Sequence, residues 1–321
     1  MNILFISYTR IGDAVMSTGL LAALVERHPN ARVTIGCGPA SAPLFAAAPF
    51  VERVIVIRKR ALSWHWLELW ATSVLRRWDL IVDLRNSALP YLLLARRRLV
   101  LRRTRNDRNR VEQLGALLGL DPPPSPRIWL SERHRARAAE LIGAQEPPIL
   151  ALGPTANWPG KIWPAVNFAD LALRLTASNG ILPGARVAIL AAPSERADAD
   201  AVLRLIPAAQ RLDLAGQTDL LTAAAVLEKV ALYVGNDSGL MHIAAAAGVP
   251  TLGLFGPSRE QLYAPWGPHA AAVRTPESFE HLIDRPGYNH RTTGSLMGSL
   301  RVDAVERAAM QLWRHSQGRR P

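Results

Sequence analysis

Short apolar runs alternate along this chain with segments of helical periodicity, and most runs end in a polar loop bearing glycine or proline. Strands that are apolar along their whole length are buried on both faces. Helices inserted between such strands cover those faces, so the pattern calls for parallel sheets. Residues 3–7 read as the first strand, and residues 14–27 as a helix with Val15, Leu20, Leu21 and Leu24 at helical spacing. Strands follow at 32–36, 54–57 and 80–83, with helical segments at 62–77 and 88–97. The proline-rich stretch 121–127 fits neither regular helix nor central strand. A polar helix at 131–143 and a linker at 145–148 close this half. A second series starts at 149–152 and continues with strands at 187–190, 211–214, 232–234 and 251–254. A last helix spans 303–314, with Asp303 as its N-cap.

A chain of 321 residues is long enough for two such domains, each with its own core. The boundaries expected are 1–146, 147–300 and a C-terminal helix at 301–321. In doubly wound α/β sheets ligands bind outside the carboxyl ends of the strands, so with two domains the natural site is the cleft between them. Cys37 is the single cysteine, which leaves no disulfide framework and points to a reducing cytoplasm. The N-terminal run is interrupted by Arg10 and Asp13 and is not preceded by a basic segment, unlike a signal peptide. The longest mostly apolar stretch, 240–255, contains His242, Gly248, Pro250 and Gly253 and reads as helix, turn and strand rather than a membrane span.

Four loops at strand ends carry chemistry. Thr9-Arg10-Ile11-Gly12-Asp13 follows the first strand. Asp13 there is either a general base for an attacking hydroxyl or the N-cap of a helix starting at Ala14. In 153–164, Thr155 and Lys161 bring a hydroxyl and a compact cation to a ligand edge, suited to phosphate. The alternative is a surface lysine beside a Trp/Pro-rich structural loop. Glu195, just past the strand 187–190, is placed to accept hydrogen bonds from ribose hydroxyls, or is a first-turn glutamate favoured by the helix dipole. In 234–250 a strand runs into Asn236-Asp237-Ser238-Gly239 and then an alanine-rich helix bearing His242. Free N–H groups at a helix start form a phosphate site, with Asp237 as an acceptor for sugar hydroxyls. Plain capping by Asn236 or Asp237 is the rival reading. There is no Gly-x-Gly-x-x-Gly fingerprint, no Walker A loop, and no His-x-x-x-His, cysteine pair or Asp-x-Asp for a metal.

The net charge of +12 is unevenly placed. Residues 1–148 carry 22 Lys+Arg against 12 Asp+Glu, and 149–321 carry 16 against 14. The first half thus reads either as built to meet something anionic or as the product of a coding bias toward arginine, since only Lys59, Lys161 and Lys229 are lysine. Residues 96–110 hold eight arginines, among them Arg96, Arg97 and Arg98. Residues 61–78 hold Trp64, Trp66, Trp70 and Trp78 beside Arg76 and Arg77. Together these suggest a surface for an anionic amphiphile or a membrane face. The competing reading is a solvated basic face with the tryptophans in the core. No nucleic-acid recognition motif accompanies the basic run.

These loops, in this order, resemble glycosyltransferase family 9, the ADP-heptose:lipopolysaccharide heptosyltransferases. The resemblance runs over nearly the whole chain, through 3–15, 78–85, 160–164, 236–242 and 254–258. It implies a GT-B architecture, with two Rossmann-like domains facing across a cleft, and an inverting, metal-independent transfer of a heptose from an ADP-sugar. The first domain would bind the acceptor and the second the nucleotide sugar, with the last helix crossing back. By this resemblance Asp13 is the catalytic base. Thr155 and Lys161 meet the donor phosphates, Glu195 meets the ribose, and Asp237, Ser238, Gly239 and His242 hold the sugar and diphosphate. Arg10, Gly12 and Arg96–Arg98 fall on the acceptor side. No cofactor is implied beyond the nucleotide sugar as co-substrate. The partners implied are that donor, an anionic glycolipid acceptor and the cytoplasmic face of the inner membrane, with no nucleic acid. The rivals are a family member using another nucleotide sugar or acceptor, and a silent nucleotide-sugar-binding protein of envelope assembly, which would have no use for a base at Asp13.

Overall fold

The computed structural model describes residues 1–58, 64–102, 107–143, 147–284, 286–290 and 292–317. The chain forms two compact units that divide between Leu130 and Ser131. The first contains β1 (Asn2–Ile6), β2 (Arg32–Cys37), β3 (Val51–Val56), β4 (Trp78–Asp83) and β5 (Ala95–Val100) in the order β3-β2-β1-β4-β5. The second contains β6 (Ile149–Gly153), β7 (Arg186–Ile189), β8 (Arg211–Asp213), β9 (Leu232–Asn236), β10 (Thr251–Phe255) and β11 (Ala270–Arg274) in the order β11-β10-β9-β6-β7-β8. Every pairing is parallel. The central strands are apolar on both faces, and helices fill the connections, as parallel sheets require. Each sheet is doubly wound. Its order reverses between β1 and β4 in one unit and between β6 and β9 in the other, and ligands of such sheets sit at these switch points.

Several local expectations are corrected. The helical segment expected at 88–97 is a single 3-10 turn, Leu89–Leu92, leading into strand β5. Pro90 fits only the first turn, and the Arg-Arg-Arg core of β5 lies on an edge strand, where charge is tolerated and hides the strand signal. The helix expected at 62–77 spans Trp64–Ala71, with 62 and 63 outside the described residues. Strand β11 lies outside the expected series, because its alanine-rich run carries little hydrophobic pattern. The helix Arg110–Ala116 is likewise additional to the expected elements, and its capping box, Asn109 and Glu112, stands in the sequence.

The polar helix expected at 131–143 spans Glu132–Ile142 and packs on Leu220–Leu227, which makes it part of the second unit. The division therefore precedes the expected linker at 145–148, of which 145 and 146 lie outside the described residues. The last helix, Val302–Gln317, expected to cross back, is a member of the second unit. Its buried face, Val305, Ala309 and Leu312, packs on the helix Ala165–Thr176 and on β10 and β11. Asp303 is not its N-cap. It lies in the first turn and accepts from Arg174 at 2.8 Å.

Candidate functional site

At the switch point of the second unit, β6 and β9 lie side by side with Gly153 opposite Gly235. Asn236 ends β9 and is fully buried. Its Oδ1 accepts from the Trp163 backbone N–H at 3.1 Å and its Nδ2 donates to the Pro154 carbonyl at 2.8 Å. One side chain thus pins both ends of the loop that carries Thr155 and Lys161. Lys161 Nζ donates to Asp237 Oδ2 at 2.5 Å, with the side chains only 16% and 7% exposed. A carboxylate so buried needs a cation, and the pair brings both charges to one strand edge. Lys161 also lies 5.7 Å from the centre of the Trp158 ring.

Two more of the expected site residues, Thr155 and Glu195, also meet. Thr155 Oγ1 donates to Glu195 Oε2 at 2.7 Å, and the Ala192 N–H donates to the same oxygen at 3.2 Å. Glu195 is thus fixed from two sides, in the short turn Pro193–Glu195 that opens the helix Arg196–Leu203.

The helix Gly239–Ala246 starts directly after Asp237. Ser238 is its N-cap, in extended backbone, and its side chain makes no capping hydrogen bond. Capping by Asn236 or Asp237 is therefore not how this helix begins, because both side chains are engaged with the preceding loop. His242 lies in the first turn and is buried. Burial pushes its pKa down to about 4, with Asp237 opposing the shift and Lys161 adding to it. At neutral pH the imidazole is uncharged, so it acts as a hydrogen-bonding group rather than a phosphate-binding cation.

Tyr233 lies beneath these loops. A Cβ on Gly153 or on Gly235 would overlap its hydroxyl, so two facing glycines make the slot for the ring. The tyrosine is fully buried, and burial raises its phenol pKa well above the ordinary range.

In the first unit, the helix Ile11–Arg27 begins three residues earlier than Ala14 and has Arg10 at its N-cap. Asp13 therefore sits in the first turn, near the carboxyl end of β1, rather than at the cap. Gly12 is half-buried and Arg10 exposed. Arg96, Arg97 and Arg98 are not beside them. They pair along the amino-terminal part of β4, with Arg97 opposite Leu80, away from the carboxyl edge. Arg98 is structural, donating to the carbonyls of Pro90, Leu93 and Ala95. Arg96 is almost fully exposed and lies 3.6 Å from Asp79.

One cation at the carboxyl edge of the first sheet stands outside the expected site residues. Arg85 follows β4 at the switch point and lies 4.6 Å over the Trp66 ring. Its Nη1 is buried and has no hydrogen-bond partner among the described residues. Burial lowers its pKa, with Asp83 opposing. Asp83 directs both carboxylate oxygens to the loop instead, accepting from the N–H groups of Arg85 and Ser87 and from the Ser87 hydroxyl. Its signal in the sequence was a lone arginine directly after a central strand.

Residues 85–286 match the family described as Glycosyltransferase family 9 (heptosyltransferase). The chain is 26% identical to lipooligosaccharide heptosyltransferase 2 of Haemophilus influenzae, covering 85% of this chain and 88% of that protein. It is 25% identical to lipopolysaccharide heptosyltransferase 2 of Salmonella typhimurium over the same shares. Among solved structures, the Escherichia coli ADP-heptose lipopolysaccharide heptosyltransferase II superposes with a TM-score of 0.78 at 22% identity, over 99% of this chain and 100% of that one. A family 9 glycosyl transferase from Veillonella parvula gives the same TM-score at 21% identity, over 98% and 97%. These likenesses assign the two-unit α/β fold to the GT-B class.

Proposed function

Because the chain belongs to glycosyltransferase family 9, we propose that it is an inverting, metal-independent heptosyltransferase that moves a heptose from an ADP-sugar to a hydroxyl of a lipopolysaccharide-type acceptor. The observation that carries this reading is the Lys161–Asp237 pair at the β6/β9 switch point, set beside a helix start that its cap side chain leaves open. The diphosphate lies against Ser238, Gly239 and the N–H groups of that helix, with Lys161 shared between Asp237 and a phosphate oxygen. Glu195, held by Thr155, accepts from the ribose hydroxyls. Asp237 and the neutral His242 take sugar hydroxyls.

The chemistry assigns Asp13 as the base. It accepts the proton of the acceptor hydroxyl as that oxygen attacks the anomeric carbon, opposite the departing diphosphate, so the configuration inverts. Negative charge grows on the leaving group, and Lys161 and the helix N–H groups stabilise it there. Among the described residues no group of three or more His, Cys, Asp or Glu is arranged to hold a metal ion. On the acceptor side, Arg85 at the β4 edge joins Arg10 and Gly12 as the place to meet an anionic glycolipid. That acceptor places the enzyme in the cytoplasm, peripheral on the inner membrane. Among the described residues no helix is long and apolar enough to cross a membrane.

The test is a thermal-shift panel of ADP-, GDP-, UDP- and dTDP-sugars, since a ligand that binds only the native state raises its apparent stability. ADP-heptose is expected to stabilise selectively, and turnover to persist in EDTA with inversion at the anomeric carbon seen by NMR. Selective stabilisation by another nucleotide removes the ADP assignment, and loss of turnover in EDTA removes metal independence.

A further inference from the structure

The Trp-rich segment of the first unit resolves into two faces. Leu69 and Trp78 are buried in the core, with Trp66 and Trp70 half-buried against it. On the outer side Trp64 and Leu67 lie three residues apart on Trp64–Ala71 and Leu75 stands in the turn after it, and they are 58%, 49% and 99% exposed. A second exposed group, Tyr91, Leu92 and Leu94, lies on the neighbouring 3-10 turn and its exit, each more than 60% exposed. The two groups are fastened together. Trp70 Nε1 donates to the Leu92 carbonyl at 3.2 Å, and Arg98 holds the turn and its exit by the Pro90 and Leu93 carbonyls. The apolar surface is thus braced from below rather than hung on a free loop.

Soluble proteins seldom leave so many large apolar side chains together in water without a use for them. Exposed arginines adjoin these segments in the chain: Arg77 follows Leu75, and Arg96 and Arg97 follow Leu94. Two acidic groups stand among them: Glu68 on the exposed side of the helix, and Asp79, 3.6 Å from Arg96. A two-fold pairing with a second copy would set these arginines against one another. Anionic lipid headgroups complement the arginines instead, while leucine and tryptophan enter the headgroup boundary and tyrosine stays at the interface.

We infer that this face, from Trp64 through Leu75 together with 91–94, docks the enzyme on an anionic lipid bilayer. The inference deepens the reading of a glycolipid acceptor under Proposed function and rests on it for the partner's source. The helix lies in the interface plane and does not span the bilayer.

Flotation with phosphatidylglycerol–phosphatidylcholine vesicles tests it, with pure phosphatidylcholine as the comparison. Wild-type protein is expected to float with the anionic vesicles and to be released as salt is raised. Leu75→Glu and Leu94→Glu change exposed positions and are expected to reduce binding at least about tenfold, with melting temperature and ADP-heptose stabilisation unchanged. Wild-type protein that ignores anionic vesicles, or variants that bind as well as wild type, would overturn the assignment. Self-association by sedimentation that Leu75→Glu abolishes would also overturn it and give the face to a second copy. A protein that floats yet takes no ADP-sugar leaves the docking face standing and removes the donor reading.

Discussion

Asn236→Ala offers the sharpest test of how the second unit holds its ligand edge. The side chain is fully buried and joins the end of β9 to both ends of the loop 154–163. Truncation leaves the Trp163 N–H and the Pro154 carbonyl without this partner. An orphaned buried group costs about 1–3 kcal/mol, so two give a loss on the order of 2–4 kcal/mol once some water enters the gap. The same side chain fixes the loop that presents Thr155 and Lys161. If about 2 kcal/mol of that restraint is lost from the binding-competent loop, ADP-heptose affinity falls by roughly thirtyfold. Urea denaturation followed by tryptophan fluorescence gives the first quantity, and titration calorimetry gives the second. Asn236→Asp separates the two bonds, since it can still accept from Trp163 but cannot donate to Pro154. A variant within about 0.5 kcal/mol of wild type, with unchanged donor affinity, would refute the clamp.

Asp13→Asn is expected to abolish transfer while leaving ADP-heptose binding intact, read by turnover beside thermal shift; unchanged turnover removes Asp13 as base. Lys161→Met leaves a buried Asp237 unpaired and is expected to cost about 3 kcal/mol of stability by urea melts. Adding Asp237→Asn should recover stability but not donor binding, and recovery of both would deny Lys161 its phosphate. His242 has a folded pKa of about 4 against an ordinary 6.5, so its contribution is complete above 6.5 and is lost as pH falls toward 4, by about 3 kcal/mol. His242→Gln should flatten that limb of the stability–pH curve, and a curve identical to wild type tells against a buried neutral ring. Arg85→Gln is expected to raise the KM for the acceptor about tenfold and leave the donor affinity alone; an unmoved acceptor KM removes Arg85 from the acceptor side.

The strand ends were legible because each central strand is apolar throughout and stops at a polar loop, as 3–7, 149–152 and 232–234 show. The candidate residues of the second sheet were singled out for the same reason: Thr155, Lys161, Glu195 and Asp237 each follow a strand of that sheet. Their pairing was not. Lys161 and Asp237 are 76 positions apart, and nothing local says that one neutralises the other. The clamp by Asn236 was hidden too, since a buried asparagine at a strand end reads as a cap. Strand β5 was lost behind three arginines that only its edge position tolerates. The packing of Glu132–Ile142 and Val302–Gln317 was illegible because amphipathic helices declare a buried face, not the sheet that buries it.

The slot beneath the loops of the β6/β9 edge ties two strands distant in sequence into one unit of inheritance. Gly153, Tyr233 and Gly235 share a single volume, in which a methyl group on either glycine meets the phenol. A relative carrying alanine at either glycine must shorten the residue at the tyrosine's position, and one that keeps the tyrosine must keep both glycines. Swapping one strand between such relatives would then fail where swapping the pair succeeds, so chimaeras of this sheet have to exchange β6 and β9 together.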